Sequence, residues 1–220
     1  MSAQRNSVAV STSSPRDEAI LAAVSAGLRR YGPRKLTAQD VADLAGVSRM
    51  TVYRAMGSMD NAILIALTRE FTAAVATIRS GLPEGTGAER LAAFLGDGAR
   101  AFVASELVAS VLTHQPELLE PYLSGRLGRS QEVVLAAIED LLAAGRFDGS
   151  ITDHAPSALT LLLLIRGVAL GAPLLRESDD FERACTELSA LVAASLGVGA
   201  NATEVDTGAG TGTRTRTRMP

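Results

Sequence analysis

A chain of 220 residues with 47% hydrophobic content is long enough for one large or two small domains and can supply a substantial buried core. Its single cysteine, Cys185, excludes an intrachain disulfide, and the opening "MSAQRNSVAVSTSS" has no apolar stretch of signal-peptide length, so a cytoplasmic chain is expected. The formal net charge of -3 is unevenly spread: residues 1 to 60 hold eight Lys+Arg against five Asp+Glu, and the remainder thirteen against nineteen, which suggests a basic recognition module on an acidic body.

Residues 1–14 and 198–220 are polar or Gly/Thr-rich without periodicity and are expected to be disordered, because such composition buries too little apolar area to offset ordering entropy. Between them apolar residues recur at three- and four-residue steps, without strand-like alternation, so the expected class is all-α with about nine helices. Ser14-Pro15 opens the first helix as N-cap and N1, Ile20, Ala23 or Val24, and Leu28 mark its inner stripe, and Gly32-Pro33 stops it.

Thr37 and Ser48 each sit at the start of a short helical pattern, the first with Asp40 in capping-box position. The pairs Leu36/Val41 and Val47/Val52 are spaced as hydrophobic staples. Two capped helices separated only by Gly46-Val47 must cross sharply, with Val41, Leu44, Val47 and Val52 as the expected shared core and Ala42 and Ala45 allowing close approach.

Further along, Ile63, Leu67, Phe71, Val75 and Ile78 line a long helix from near Ser58 to Ser80, and Leu91, Phe94, Leu95 and Phe102 line the next. A helix after Pro116 is expected to reach Gly145 with Leu127, Val134, Ile138, Leu141 and Leu142 inward, followed by a turn region at "GRFDGSITDHAP". The run Ala158–Leu175 carries Arg166 near its middle and is broken by Pro173 and two glycines, so it is expected to be a buried helix rather than a membrane span. No membrane partner is expected. A last helix holds Leu188, Leu191 and Val192.

The crossing leaves Arg49, Met50, Thr51, Tyr53 and Arg54 on the outer face and start of a two-turn helix, a shape that fits a DNA major groove. Arg49 and Met50 are the candidates for base edges, by guanine hydrogen bonds and thymine-methyl contact; Thr51 and Tyr53 are placed to give hydroxyls to phosphate, and Arg54, Arg34 and Lys35 to add charge along the backbone. Thr37 and Ser48, at the two helix starts, complete the DNA-binding set. The alternative is that Tyr53 belongs partly to the core and the arginines are solvated surface.

The stretch "LTAQDVADLAGVSRMTVYRAMGSMDNAILIAL", Leu36 to Leu67, resembles the TetR family of transcriptional regulators, with Thr37, the Ala45-Gly46-Val47-Ser48 turn, the Thr51 and Tyr53 spacing and Ser58-x-Asp60 all in place. Two positions depart from the family's usual pattern: Met56 for Phe, and Met59 for a Lys that touches phosphate. The resemblance implies a helix-turn-helix DNA-binding domain over residues 15–60, a helical ligand-binding and dimerisation domain over 61–197, and a homodimeric repressor released from a palindromic operator by a small molecule.

Two further expectations concern the C-terminal part. The apolar circumference of the Leu159–Ile165 segment calls for burial on two sides, one against a second copy of the chain, with the last two helices of each subunit as the interface. Phe94, Phe102, His114, Tyr122 and Arg166 are the candidate ligand-pocket residues; for Arg166 a structural ion pair with Glu182 or Glu187 is the alternative, and for His114 a surface position. No GxxxxGK loop, HExxH pair or CxxC occurs, so neither catalysis nor a metal nor a cofactor is expected. A helical protein-interaction module, or a regulator without small-molecule control, is the rival reading.

Overall fold

The computed structural model describes residues 14–118 and 127–197. Among them are ten α-helices, one 3-10 turn and no strand. Helix α1 spans Pro15–Tyr31, α2 Ala38–Ala45, α3 Arg49–Met56, α4 Met59–Gly81, α5 Gly87–Ala104 and α6 Glu106–His114; after the 3-10 turn Pro116–Leu118 come α7 Arg129–Phe147, α8 Ala158–Leu170, α9 Ala172–Glu177 and α10 Phe181–Leu196. The termini expected to be disordered lie outside the described residues, apart from Ser14, which caps α1 through a reciprocal bond pair with Asp17.

Three breaks differ from the sequence expectation. The segment after Pro116 is not one helix up to Gly145: α7 begins only at Arg129, where Gly128 takes an extended conformation and its N–H donates to the Gln131 side chain at 3.1 Å. Ser105, also extended, ends α5 and caps α6 by accepting from the Val108 N–H. The long apolar run turns at Gly171 and continues as the short α9.

The buried side chains form two clusters. The first joins Ile20, Val24 and Leu28 of α1 with Val41 of α2, Val52 and Met56 of α3, Ile63 and Leu67 of α4, and Leu107, Val108 and Val111 of α6. The second joins Leu91, Phe94 and Leu95 of α5 with Ile138, Leu141 and Leu142 of α7, Leu161, Leu162 and Ile165 of α8, and Cys185, Leu188 and Val192 of α10. Helix α4 serves both, because its first half is buried in one cluster while Val75 and Ile78 lie against the other. Ion pairs brace it near its middle and at its C-terminal end, Arg69 to Glu18 of α1 at 2.5 Å and Arg79 to Asp140 of α7 at 2.7 Å. By length and composition α4 would also suffice to cross a membrane, whereas the 13-residue α8 falls short of the length a span needs.

Close contact between α5 and α7 depends on glycine. A Cβ on Gly87 would lie 2.3 Å from the Gly145 backbone nitrogen, so a side chain there would force the helices apart. The Gly87 N–H uses this proximity to donate to the Asp148 carboxylate at 2.6 Å.

Two leucines expected to face inward, Leu44 and Leu127, do not, and Leu191 of the last helix is exposed as well. Leu44 is 45% exposed because α2 meets the core through Ala38, Val41 and Ala42, a small-residue stripe that turns Leu44 to the rim. Leu127 is 38% exposed, as it precedes α7 and so lies off that helix's stripe. Leu191 is 70% exposed because the inner stripe of α10 runs Cys185, Leu188, Val192 and Leu196.

Candidate nucleic-acid interface and ligand cavity

The α2–α3 pair is held by its caps. The Thr37 backbone N–H donates to the Asp40 carboxylate at 2.9 Å and the Thr37 hydroxyl donates to the same oxygen at 2.5 Å, while the Asp40 N–H donates back to the hydroxyl at 3.2 Å. The Thr37 hydroxyl, followed by its N–H, holds the Asp40 carboxyl below its usual range. Gly46 then adopts the left-handed conformation, φ 65° and ψ 34°, and the Ala42 carbonyl accepts from the N–H groups of both Gly46 and Val47. A β-carbon would strain this reversal, which is what sets α3 across α2.

Ser48 starts α3 by accepting from the Thr51 N–H at 3.1 Å, and the two hydroxyls lie 2.8 Å apart. Val52 and Met56, one turn apart and at most 4% exposed, anchor the inner side. The outer side carries exposed Arg49, Met50, Tyr53 and Arg54, with Met50 67% and Tyr53 44% exposed. Tyr53 therefore points substantially to solvent rather than into the core. Thr51 is half-buried; Arg34 and Lys35 are exposed in the turn before α2. The hydroxyls of Thr37 and Ser48 are already engaged in the caps, and both residues remain exposed at the helix starts.

Sequence reasoning missed one element of this arrangement. The Asn61 amide of α4 donates to the Met56 carbonyl at 2.7 Å and ties the end of α3 to the long helix; the sequence pattern signals only the cap at Ser58.

Behind the α2–α3 pair, helices α4 to α8 line a partly open cavity of about 160 Å³. Its lining contains Phe94, Phe102 and Arg166, three of the five pocket candidates named from the sequence. Phe71 of α4 meets Phe102 of α5 with ring centroids 5.8 Å apart and planes tilted by 48°. The polar lining also includes Glu70, Ser105, Ser130 and Gln131, which sequence reasoning missed because each looks like an ordinary cap or solvated position in its helix.

One expectation about this region is corrected. His114 is not in the lining: as the last residue of α6 it is exposed, and its Nδ1 bonds the Ser110 carbonyl of the preceding turn at 2.9 Å. Glu182 and Glu187 are engaged by other arginines, Glu182 by Arg100 at 2.8 Å and Glu187 by Arg183 at 3.7 Å. Tyr122 lies outside the described residues. Among the described residues no group of three or more His, Cys, Asp or Glu could hold a metal ion.

An R. erythropolis transcriptional repressor of the TetR family, QsdR, superposes on this architecture with a TM-score of 0.62 at 22% identity, covering 83% of this chain and 95% of that one. The fold is that of the TetR-family regulators. A second TetR-fold neighbour, the transcriptional regulator FadR of Bacillus subtilis solved with stearoyl-CoA, matches with a TM-score of 0.55 at 15% identity over 81% of this chain and 98% of its own. In sequence, an uncharacterised HTH-type transcriptional regulator of Mycobacterium bovis is 28% identical over 172 residues, which is 77% of this chain and 88% of the relative. No protein-family model matches the chain. The likeness first read in Leu36–Leu67 thus extends, at the level of fold, through the C-terminal helices.

Proposed function

We propose that the chain is a TetR-like DNA-binding transcriptional regulator, a homodimeric repressor released from a palindromic operator when a small molecule enters the cavity. The observation that carries the reading is α3: a helix of eight residues, pinned from behind by Val52, Met56 and the Asn61 amide, with its cationic, aromatic and thioether side chains in solvent. Arg49 and Met50 read base edges; Thr51 and Tyr53, with Arg34, Lys35 and Arg54, hold phosphates, while Thr37 and Ser48 aim the helix starts at the backbone.

Dimerisation supports the same reading. Helices α8 and α10 pack together, yet Leu159, Leu163, Leu164 and Leu191 remain exposed, an apolar face that a second copy would cover in a four-helix contact. A twofold dimer spaces its two α3 helices by one duplex turn, about 34 Å, and so selects a palindrome.

Release follows from shared walls. Leu67 of α4 and Val108 of α6 belong both to the core behind α2 and α3 and to the cavity lining, so a ligand pressing on them shifts the platform under the recognition helix. A discrimination of a few kcal/mol between conformers is enough to empty the operator. We assign residues 15–60 to DNA binding and 61–197 to ligand binding and dimerisation, with α6 wedged into the first core.

Selection from random duplexes followed by gel shift tests this. A palindromic consensus is expected, with affinity lowered by Arg49→Ala and by Tyr53→Phe while circular dichroism is unchanged; equal affinity for scrambled duplexes at moderate salt would refute it.

A further inference from the structure

The cavity's lining restricts what can occupy it. Its walls are aliphatic and aromatic, among them Leu67, Val75, Ile78, Phe94, Leu162 and Ile165. At about 160 Å³ it is close in size to an engineered cavity of about 150 Å³ that binds benzene. One acid, Glu70 on α4, and one base, Arg166 on α8, face it. The acid and the base offset each other, so a net charge on the ligand would be left to lose its hydration against apolar walls, and an uncharged molecule fits best.

The acid also has a defined partner. The Ser105 hydroxyl donates to the Glu70 Oε1, and the same Ser105 oxygen accepts from the Val108 N–H at 3.1 Å to cap α6. The bond therefore ties α4 to the α5–α6 junction at the edge of the cavity. Hydroxyl donation to a carboxylate is charge-assisted and stronger than a neutral bond, so a ligand hydroxyl can compete for Glu70.

Resting on the reading of the cavity as the effector site, we propose that it takes an uncharged, mainly apolar molecule of single-ring size bearing a hydroxyl, and that this hydroxyl replaces Ser105 on Glu70. Ser105 then no longer holds α6 to α4. Because α6 sends Leu107, Val108 and Val111 into the core behind the recognition helix, the exchange reaches the DNA-binding end directly.

Four probes of matched size test this on the full chain by calorimetric titration: toluene, p-cresol, benzylamine and benzoate. We expect p-cresol to bind about tenfold tighter than toluene, because its phenolic hydroxyl is more acidic than the serine hydroxyl it displaces and so the stronger donor to the carboxylate. Glu70→Gln should remove most of that advantage and leave toluene binding unchanged, which also certifies the variant's fold. Ser105→Ala, which removes the competing donor, should leave the p-cresol preference at least as large. Tighter binding of benzylamine or benzoate overturns the ligand class, equal binding of toluene overturns the polar end, and an advantage that survives Glu70→Gln overturns the assignment of the acceptor. Failure of all four probes to bind overturns the proposal entirely. Operator binding by the same preparation without probe judges the regulator reading separately: intact operator binding with failed probes leaves a regulator of another effector class, and probe binding without operator binding leaves the cavity chemistry alone.

Discussion

If Arg34, Lys35 and Arg54 meet phosphates as proposed, removing one of them should change the salt dependence of DNA binding by a calculable amount. Arg34, Lys35 and Arg54 are exposed around the recognition helix, and a dimer doubles them to about six phosphate contacts, for which log affinity should fall with log salt at a slope of about -5. Raising salt from about 50 to about 200 mM should then weaken operator binding on the order of 10³-fold. Arg34→Ala removes a cation from each subunit and should make the slope shallower by about 2, so that the variant's deficit against the unmodified chain shrinks by about tenfold across that range. Folding should be unaffected, because Arg34 lies exposed in the turn before α2. Fluorescence anisotropy with a selected palindrome at several salt concentrations reads both slopes, with Arg146→Ala, exposed on α7, as a remote control. Arg49→Ala should behave differently, losing preference for the selected site over scrambled DNA by about 1–3 kcal/mol per half-site. Parallel lines for Arg34→Ala and the unmodified chain would refute the phosphate assignment.

Met59→Lys adds a cation at the first position of α4 in each subunit, and gel shift should show tighter operator binding with a slope steeper by about 2. Leu163→Glu places a charge in the exposed leucine face of α8; analytical ultracentrifugation should show a single chain in solution, and affinity for a full palindrome should drop about 100-fold or more as bivalent attachment is lost. Stability should respond to acid through two helix-end carboxylates. Asp40 is lowered by the Thr37 hydroxyl, and Asp148 by the Ser150 hydroxyl and then the Gly87 N–H. Since both native values lie below the unfolded value of about 3.9, their contribution is present above that pH and is lost as pH falls through the native values. Thermal melts from about pH 5 to about pH 2 should therefore fall more steeply for the unmodified chain than for Asp40→Asn with Asp148→Asn, and identical profiles would exclude this linkage.

The recognition end is legible in the amino-acid sequence because its signals are local. A cap, a staple and a glycine act within one or two helical turns, so Thr37, Gly46 and Ser48 announce their conformations from spacing alone, and the exposed positions Arg49, Met50 and Arg54 follow from 3.6-residue periodicity. Periodicity also marks the apolar stripes of α4, α5 and α7. It does not say where a stripe ends, as Leu44 and Leu191 show: each lies three residues from a buried position, and the neighbouring helix decides on which side of the rim it falls.

The C-terminal site is decided by tertiary packing. Glu70, Ser105, Gln131 and Arg166 come from four separate parts of the chain, and no sequence period relates them. Nor does spacing reveal that Ser105 bonds Glu70, that Glu182 pairs with Arg100, or that α6 lends three side chains to the N-terminal core. The sequence by itself determined the helical class, the crossing of α2 over α3 and the side chains that crossing exposes, because each depends on forces acting within a few residues. Only the folded chain decided which distant polar groups share a cavity and how that cavity shares Leu67 and Val108 with the core behind α3, because such contacts arise from helix-on-helix packing between segments far apart in the chain.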